Sequence, residues 1–342
     1  MYRRQLTILI LRFLPVFVGI LFLATSCAQS GDRQNSITIY SGRNERLVGP
    51  ILNRFAEETG INVRIRYGDT SELAATILEE GNNSPADVFF AQDAGALGAL
   101  AKVGKLRKLG QEILASVDKK FESPSGEWVG VSGRARVLAY NTQIVQETEL
   151  PDTVLGLTDA KWKGKIGWAP TNGSFQAFVT ALRITEGNEG AKRWLEGMKR
   201  NEPKVYSDNI SIVDAVGKGE VSIGLVNHYY LYQFMSQRGS SFPVRNYYPR
   251  AGGPGAMINV AGAGILNTSK SPQLAERFIR FLLGQEAQSF FSEETSEYPL
   301  ARGVSAKPEL PPLAQIKAPD IDLGELADLQ GTLRLLQEVG IL

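Results

Sequence analysis

An alternation of extended and helical segments is what most limits how this chain can fold. Residues 37–40, Ile37-Thr38-Ile39-Tyr40, form a β-rich apolar run that ends at Ser41-Gly42-Arg43-Asn44. Over 47–59 the apolar residues recur at helical spacing, with Leu47, Ile51, Leu52 and Phe55 on one face and Gly60 as the stop. Residues 63–67 alternate as a strand, 71–80 read as a helix capped by Ser71, and 86–90 read as a third strand ending at Gln92-Asp93. Parallel strands need crossover connections, and helices of this length supply them, so the rhythm predicts a mostly parallel α/β sheet with covering helices. In such sheets ligands lie beyond the carboxyl ends of the strands.

The same grammar continues. Strands are expected at 137–140, at the end of Trp162-Lys163-Gly164-Lys165-Ile166-Gly167-Trp168, at 221–226 and at 261–266. Helices are expected at 170–182, 191–199, 209–216, 273–283 and 286–291, with helical segments over 323–339. The strands fall into two groups, and 342 residues suffice for two apolar cores. This suggests one lobe of 37–135 plus 261–311 and another of 136–260 plus 312–342. Two such lobes joined by crossing strands leave a cleft that can close on a ligand.

The first 36 residues are of another kind. Arg3 and Arg4 precede an apolar run over 13–23, and Ala24-Thr25-Ser26-Cys27 follows, which is the pattern of an export signal over 1–27, with 28–36 as a polar tether. Cys27 is the only cysteine and stands where a lipoprotein signal places its acylated residue; cleavage after Ala28 is the alternative. Arg3-Arg4-Gln5-Leu6 also resembles a twin-arginine signal, so the export route stays open. A periplasmic or cell-envelope location follows, with Cys27 as a candidate lipid anchor. With a formal charge of +1 and no block of like charges, nothing points to nucleic acid, and a monomer is expected.

One cysteine and one histidine leave almost no soft or borderline metal ligands. A hard trivalent cation would take phenolate oxygens instead, and Tyr229-Tyr230, just after the run 221–226, offers two of them. Both rings could equally be core aromatics, as Tyr247-Tyr248 shows that the dipeptide recurs. Tyr140, at the end of its strand, is a candidate third phenol at the cleft edge, and three phenolates would neutralise a trivalent ion. Six-coordination then calls for further oxygens from a small bidentate anion. Asn172-Gly173-Ser174 at a helix start offers such an anion its amides, and Arg43 and Arg134 offer charge; a plain N-cap turn and surface arginines are the bland alternatives. His228, on a helix turn beside the two tyrosines, is expected to point elsewhere. No Gly-x-Ser-x-Gly elbow, Walker loop or dinucleotide fingerprint occurs, so the chain does not read as an enzyme; a secreted enzyme using His228 as base lacks a recognisable nucleophile.

Several motifs together resemble the periplasmic ferric-ion-binding proteins of bacterial iron ABC transporters. They are Ile39-Tyr40-Ser41-Gly42-Arg43, Ser84-Pro85-Ala86-Asp87-Val88-Phe89, Ser132-Gly133-Arg134-Ala135-Arg136-Val137, Trp162-Lys163-Gly164-Lys165-Ile166-Gly167 and Asn227-His228-Tyr229-Tyr230. Ala261-Gly262-Ala263-Gly264 and Glu297-Tyr298-Pro299-Leu300 fit as well. The resemblance implies a two-lobed class II binding-protein fold, with Fe(III) held by Tyr229 and Tyr230 and delivered to a permease in the inner membrane. In branches with three tyrosines the third matches Tyr140, with carbonate or bicarbonate completing the shell. In phosphate-using branches Asn172, Gly173, Ser174, Asn209 and Asn227 match anion contacts. The chain departs from the family where many members carry a histidine, since Asn44 stands there, followed by Glu45, and Gln92 replaces a glutamate ligand. Those losses favour three tyrosines with a synergistic anion, while Glu45 and Asp93 remain candidate oxygen donors. The alternative is a binding protein of the same fold for an organic or oxyanionic solute, such as a polyamine, thiamine or a phosphonate.

Overall fold

The computed structural model describes residues 35–342; the export signal, Cys27 and most of the tether lie outside them. The opening alternation folds as read: β1 (Ser36–Ser41), α1 (Glu45–Thr59), β2 (Asn62–Tyr67), α2 (Thr70–Glu80), β3 (Val88–Ala91) and α3 (Ala94–Lys102). Gly60 ends α1 at a φ of 65°, the left-handed conformation that glycine adopts without a Cβ clash, and its N–H donates to the Ala56 carbonyl. One expectation is corrected at α2. The cap is Asp69, whose carboxylate accepts from the Ser71 N–H, and Ser71 itself lies inside the helix.

A short α4 (Gln111–Leu114) leads to β4 (Trp128–Asn141), 14 residues long and buried throughout. This strand spans both lobes. Up to Ala135 it pairs with β9 (Ile258–Ile265); from Arg136 it pairs with β7 (Ile223–Asn227), and from Leu138 also with β8 (Val244–Tyr247). The change of partner falls between Ala135 and Arg136. The second lobe is completed by β5 (Ile166–Trp168), α5 (Gly173–Arg200), β6 (Lys204–Val205), α6 (Asn209–Gly217) and α7 (Tyr229–Arg238). The two helices expected at 170–182 and 191–199 are both present, within one run broken by a kink at Gly187, where φ is 71°. After β9 come α8 (Pro272–Leu282), α9 (Gln285–Glu293), β10 (Tyr298–Pro299) and α10 (Leu329–Glu338).

The strand order is β2-β1-β3-β9-β4-β7-β5-β6, with β8 and β10 also paired to β4. β1 lies parallel to β2 and β3, and β5 lies parallel to β6 and β7, so each outer section is parallel. The centre is antiparallel, because β4 and β9 carry the chain between the lobes in opposite directions. Helices cover the sheet through apolar stripes: in α8, Ala275, Phe278, Ile279 and Leu282 are all buried, and Phe278 meets Phe55 of α1 edge-on at 5.1 Å.

The C-terminal segment touches both lobes. Residues 323–327 lie against α3 so closely that a Cβ on Gly98 would stand 2.7 Å from the Gly324 Cα. α10 packs instead on α5, where the Thr180 and Thr332 hydroxyls meet at 2.7 Å and Arg183 pairs with Asp328 at 2.8 Å. Assigning all of 312–342 to the second lobe therefore misses the first-lobe contacts of 323–327. Among the described residues no helix is long and apolar enough to cross a membrane.

Candidate functional site between the lobes

The tyrosine pair owes its place to β7. That strand is wholly buried, ends at Asn227, and passes through His228 directly into α7, so Tyr229 and Tyr230 occupy the first turn of a helix. A helix N-terminus favours negative charge nearby. The two rings stack with centroids 4.2 Å apart. Tyr229 is 4% exposed, and its burial, with Tyr230 next in effect, pushes its pKa well above the ordinary value. At neutral pH this phenol keeps its proton.

Across the same wall, Asn172 caps α5. Its Oδ1 accepts from the Ser174 N–H at 3.0 Å, from the Ser174 hydroxyl at 2.6 Å and from Asn209 Nδ2 at 3.2 Å. Asn209 also donates to the Ser174 hydroxyl at 3.0 Å. Nothing lies within 4 Å of where a Cβ on Gly173 would stand, so the backbone there faces open space. Asn172, Gly173, Ser174 and Asn227 line one cavity with both tyrosines, and Asn209 braces that wall.

From the first lobe the cavity receives Arg134, which donates to the Gln92 carbonyl and leaves its Nε without a partner. Burial, then the nearby Arg43, holds the Arg134 guanidinium below its ordinary pKa, while Glu297 and Tyr229 oppose the shift. The cavity measures about 510 Å³ and is walled by both lobes.

Other expected residues are placed elsewhere. Tyr140 is not at the cleft. β4 and β7 are antiparallel, with Arg136 opposite Asn227 and Tyr140 opposite Ile223, so Tyr140 lies four residues, about 13 Å of strand, from the end that carries the pair. The carboxyl end of β4 points away from the cleft because that strand enters the second lobe from it. The Tyr140 hydroxyl donates to Glu147 at 3.4 Å, and burial raises its pKa. Arg43 is likewise unavailable to an anion. It is fully buried, paired to Glu297 at 2.6 Å and donating to Gln92 Oε1 at 2.9 Å, outside the cavity lining. Glu45 is exposed at the start of α1 and Asn44 is its cap; neither lines the cavity. Gln92 and Asp93 do line it, but Gln92 is held by Arg43, and Asp93 caps α3, with burial raising its carboxyl pKa.

His228 points away, as expected. The Ala135 N–H donates to its Nδ1 at 3.1 Å, so Nε2 carries the proton it gives to the Ser296 carbonyl at 2.8 Å. Burial lowers its pKa to about 4. With both nitrogens engaged, it neither ligates a metal nor acts as a base; it ties the end of β7 to the point where β4 changes lobes. Among the described residues no three His, Cys, Asp or Glu side chains gather to hold a metal.

Two buried residues escaped the reading of the sequence. Arg136 donates to the Leu225 carbonyl at 2.8 Å and to the Ser174 hydroxyl at 3.3 Å, joining β7 to the α5 turn; burial lowers its pKa to about 9. Arg134 and Arg136 are two apart on one strand and so share a face, a signal the sequence did hold. Glu297 accepts from Arg43 and from the Ser132 hydroxyl; burial opposes its ionisation, but Arg43 and Arg134 outweigh it and hold the carboxyl below its ordinary range.

Two α/β lobes, a shared crossing strand and a polar cavity between them define a solute-binding protein of the two-lobed periplasmic class, which binds rather than catalyses. The chain belongs to the bacterial extracellular solute-binding protein family, whose model matches residues 83–323. It is 33% identical over 322 residues to the major ferric iron-binding protein of Neisseria meningitidis, covering 93% of this chain and 97% of that one. Its fold matches iron-bound HitA from Pseudomonas aeruginosa with a TM-score of 0.83 at 36% identity, covering 89% of this chain and 99% of that one. A Trichodesmium protein (IdiA, FutA) in complex with iron and citrate ligands matches with a TM-score of 0.79 at 31% identity, covering 89% and 99% of the respective chains.

Proposed function

We propose that this protein binds Fe(III) in the interlobe cavity through the phenolate oxygens of Tyr229 and Tyr230, with a small synergistic anion, and delivers it to an ABC permease in the inner membrane. The observation that carries the reading is the stacked tyrosine pair on the first turn of α7, facing a cavity that also holds the Asn172-Gly173-Ser174 turn and Arg134. Relatives described as binding ferric iron support it. Because Tyr140 is remote, two phenolates rather than three meet the ion and leave one positive charge. Carbonate, bicarbonate or another small oxyanion neutralises that charge and supplies the missing oxygens. Its own partners are Ser174, Asn227, the amides at the start of α5, and Arg134, which arrives from the opposite lobe.

The working cycle is capture and release. Open lobes admit metal and anion, closure brings Arg134 onto them, and docking to the permease separates the lobes again. The protein works as a monomer in the cell envelope, exported by its N-terminal signal and, in the acylated form, anchored through Cys27. Purified protein given ferric citrate with bicarbonate or phosphate should develop the visible charge-transfer band of phenolate-bound iron. A protein that stays colourless with either anion would end this reading.

A further inference from the structure

Beyond the tyrosines the cavity continues into a region whose wall carries no charge. α2, α3 and α5 all begin at the polar end, capped by Asp69, Asp93 and Asn172, and their cavity sides run outward from it. On α2 the lining residues are Ser71, Ala74, Ala75 and Leu78, spaced as one helix face. At about 1.5 Å of rise per residue, Leu78 stands roughly 10 Å beyond Ser71. Ala99 of α3, Thr180 of α5 and Leu329 of α10 complete this end, while Gln176 and Ala177 lie within one turn of Ser174. Leu78 is 46% exposed, a large aliphatic side chain left to solvent. The charged side chains of the cavity, Asp69, Asp93 and Arg134, belong to its polar end.

Volume sharpens the contrast. A ferric ion with a small anion needs a few water-sized volumes of about 30 Å³ each. The cavity, at about 510 Å³, is of the size that takes organic ligands. We infer that this apolar annex receives the uncharged, carbon-rich part of an organic ferric chelate, whose metal meets Tyr229 and Tyr230. The inference rests on the ferric reading above. The chelating group donates oxygens, as hydroxamates and catecholates do, since a hard cation prefers them. A charged tail gains no partner there, since the annex carries no charged side chain.

Acetohydroxamate and benzohydroxamate present the same two oxygens to iron and differ only in a methyl against a phenyl group. Calorimetric titration of the mature protein with their preformed ferric complexes should show binding roughly tenfold tighter for benzohydroxamate, as burial of the added apolar area allows. Ala75→Trp and Ala99→Trp fill the annex from helix positions that are not fully buried. Each should erase that preference while leaving uptake of iron with phosphate within about twofold of wild type. Equal affinities for the two hydroxamates in the wild type overturn the inference, and so does an equal loss of phosphate-borne iron in both variants, which marks the annex as room for lobe closure. Should a tryptophan variant fail to fold by circular dichroism, the wild-type ratio decides alone. A wild type that takes up iron in no form removes the ferric reading and the annex with it; one that takes iron with phosphate but ignores the hydroxamate tail removes the annex only.

Discussion

The two walls of the cleft are built on opposite principles. On the first-lobe side the charges answer one another: Arg43 and Glu297 pair in full burial, Gln92 accepts from Arg43, and Arg134 leans on the Gln92 carbonyl. On the second-lobe side the donors are left for something else. Tyr229 and Tyr230 face the cavity, Gly173 has nothing over its backbone, and Arg136 spends its hydrogen bonds on orienting Ser174 and β7. On the proposed reading cargo is held by the second lobe, and the first lobe contributes Arg134 on closure. On that reading a ligand set confined to one lobe also makes release simple, since parting the lobes would remove Arg134 without breaking a coordinate bond.

Replacing Tyr229 and Tyr230 together by Phe is the sharpest way to break that asymmetry. Each substitution removes an anionic oxygen and leaves the ring. Iron affinity should fall at least about a thousandfold, more than the 10–100-fold typical of residues behind a ligand, and the visible band should vanish. Unchanged thermal unfolding of the iron-free variant would show that the loss is chemical. A band that survives in the double variant moves the site elsewhere.

The first-lobe wall should answer differently, in stability before affinity. Glu297→Ala leaves Arg43 buried and unpaired, which costs about 3–5 kcal/mol. Denaturant unfolding of the iron-free protein measures this, and a change below 1 kcal/mol would mean that the pair is not buried as described. The colour of any iron the variant holds should stay where it was, because Glu297 touches no ligand oxygen.

Acid tests the seam between the walls. The folded pKa of His228 is depressed from 6.5 to about 4, so its neutral form is the one that folding favours. Its contribution, about 3 kcal/mol by that difference, is complete above the unfolded value of 6.5 and is lost as pH falls from there towards 4. Iron-free protein should therefore lose stability across that window, and His228→Gln should flatten the dependence. An equally steep profile in the variant would assign the acid sensitivity to other groups.

Much of this was written in the sequence where local rules govern, and little where two distant segments meet. The βαβ rhythm, the Gly60 stop and the strand leading into Tyr229 each follow from periodicity and turn chemistry within a dozen residues. The Arg43–Glu297 pair joins positions 254 apart, and no spacing rule reaches that far. Ser71 against Asp69 shows the usual ambiguity of helix starts, since both side chains suit a cap and only backbone conformation chooses between them. The direction of β4 was a subtler matter. A strand that crosses between lobes has its carboxyl end away from the cleft, so the rule that ligands gather at carboxyl ends holds for β7 and reverses for its antiparallel neighbour.

A smaller effect belongs to the turn proposed to cradle the anion. Ser174→Ala removes one hydroxyl that accepts from Asn209 and Arg136, and a single hydrogen bond to a charged group is worth about 1.5–3 kcal/mol. Iron affinity at fixed phosphate should drop roughly tenfold, and raising the phosphate concentration should recover most of it. A drop that phosphate cannot relieve would place the anion on another part of the wall.

The smallest effect expected is at Tyr140, and it sharpens the comparison most, because this third ring shares the second lobe with the pair but not the cleft. Tyr140→Phe removes only a hydroxyl that reaches Glu147 at 3.4 Å, and the loss of one such hydrogen bond from a buried ring alters stability by about 0.5–1.5 kcal/mol. Iron affinity and band position should match the wild type within error. If the band instead shifts or fades, Tyr140 reaches the metal through a rearrangement that breaks the register of β4 against β7. Five consecutive pairings, from Arg136 with Asn227 to Tyr140 with Ile223, stand against that movement: a slip of one residue would turn every side chain of a fully buried strand to the wrong face.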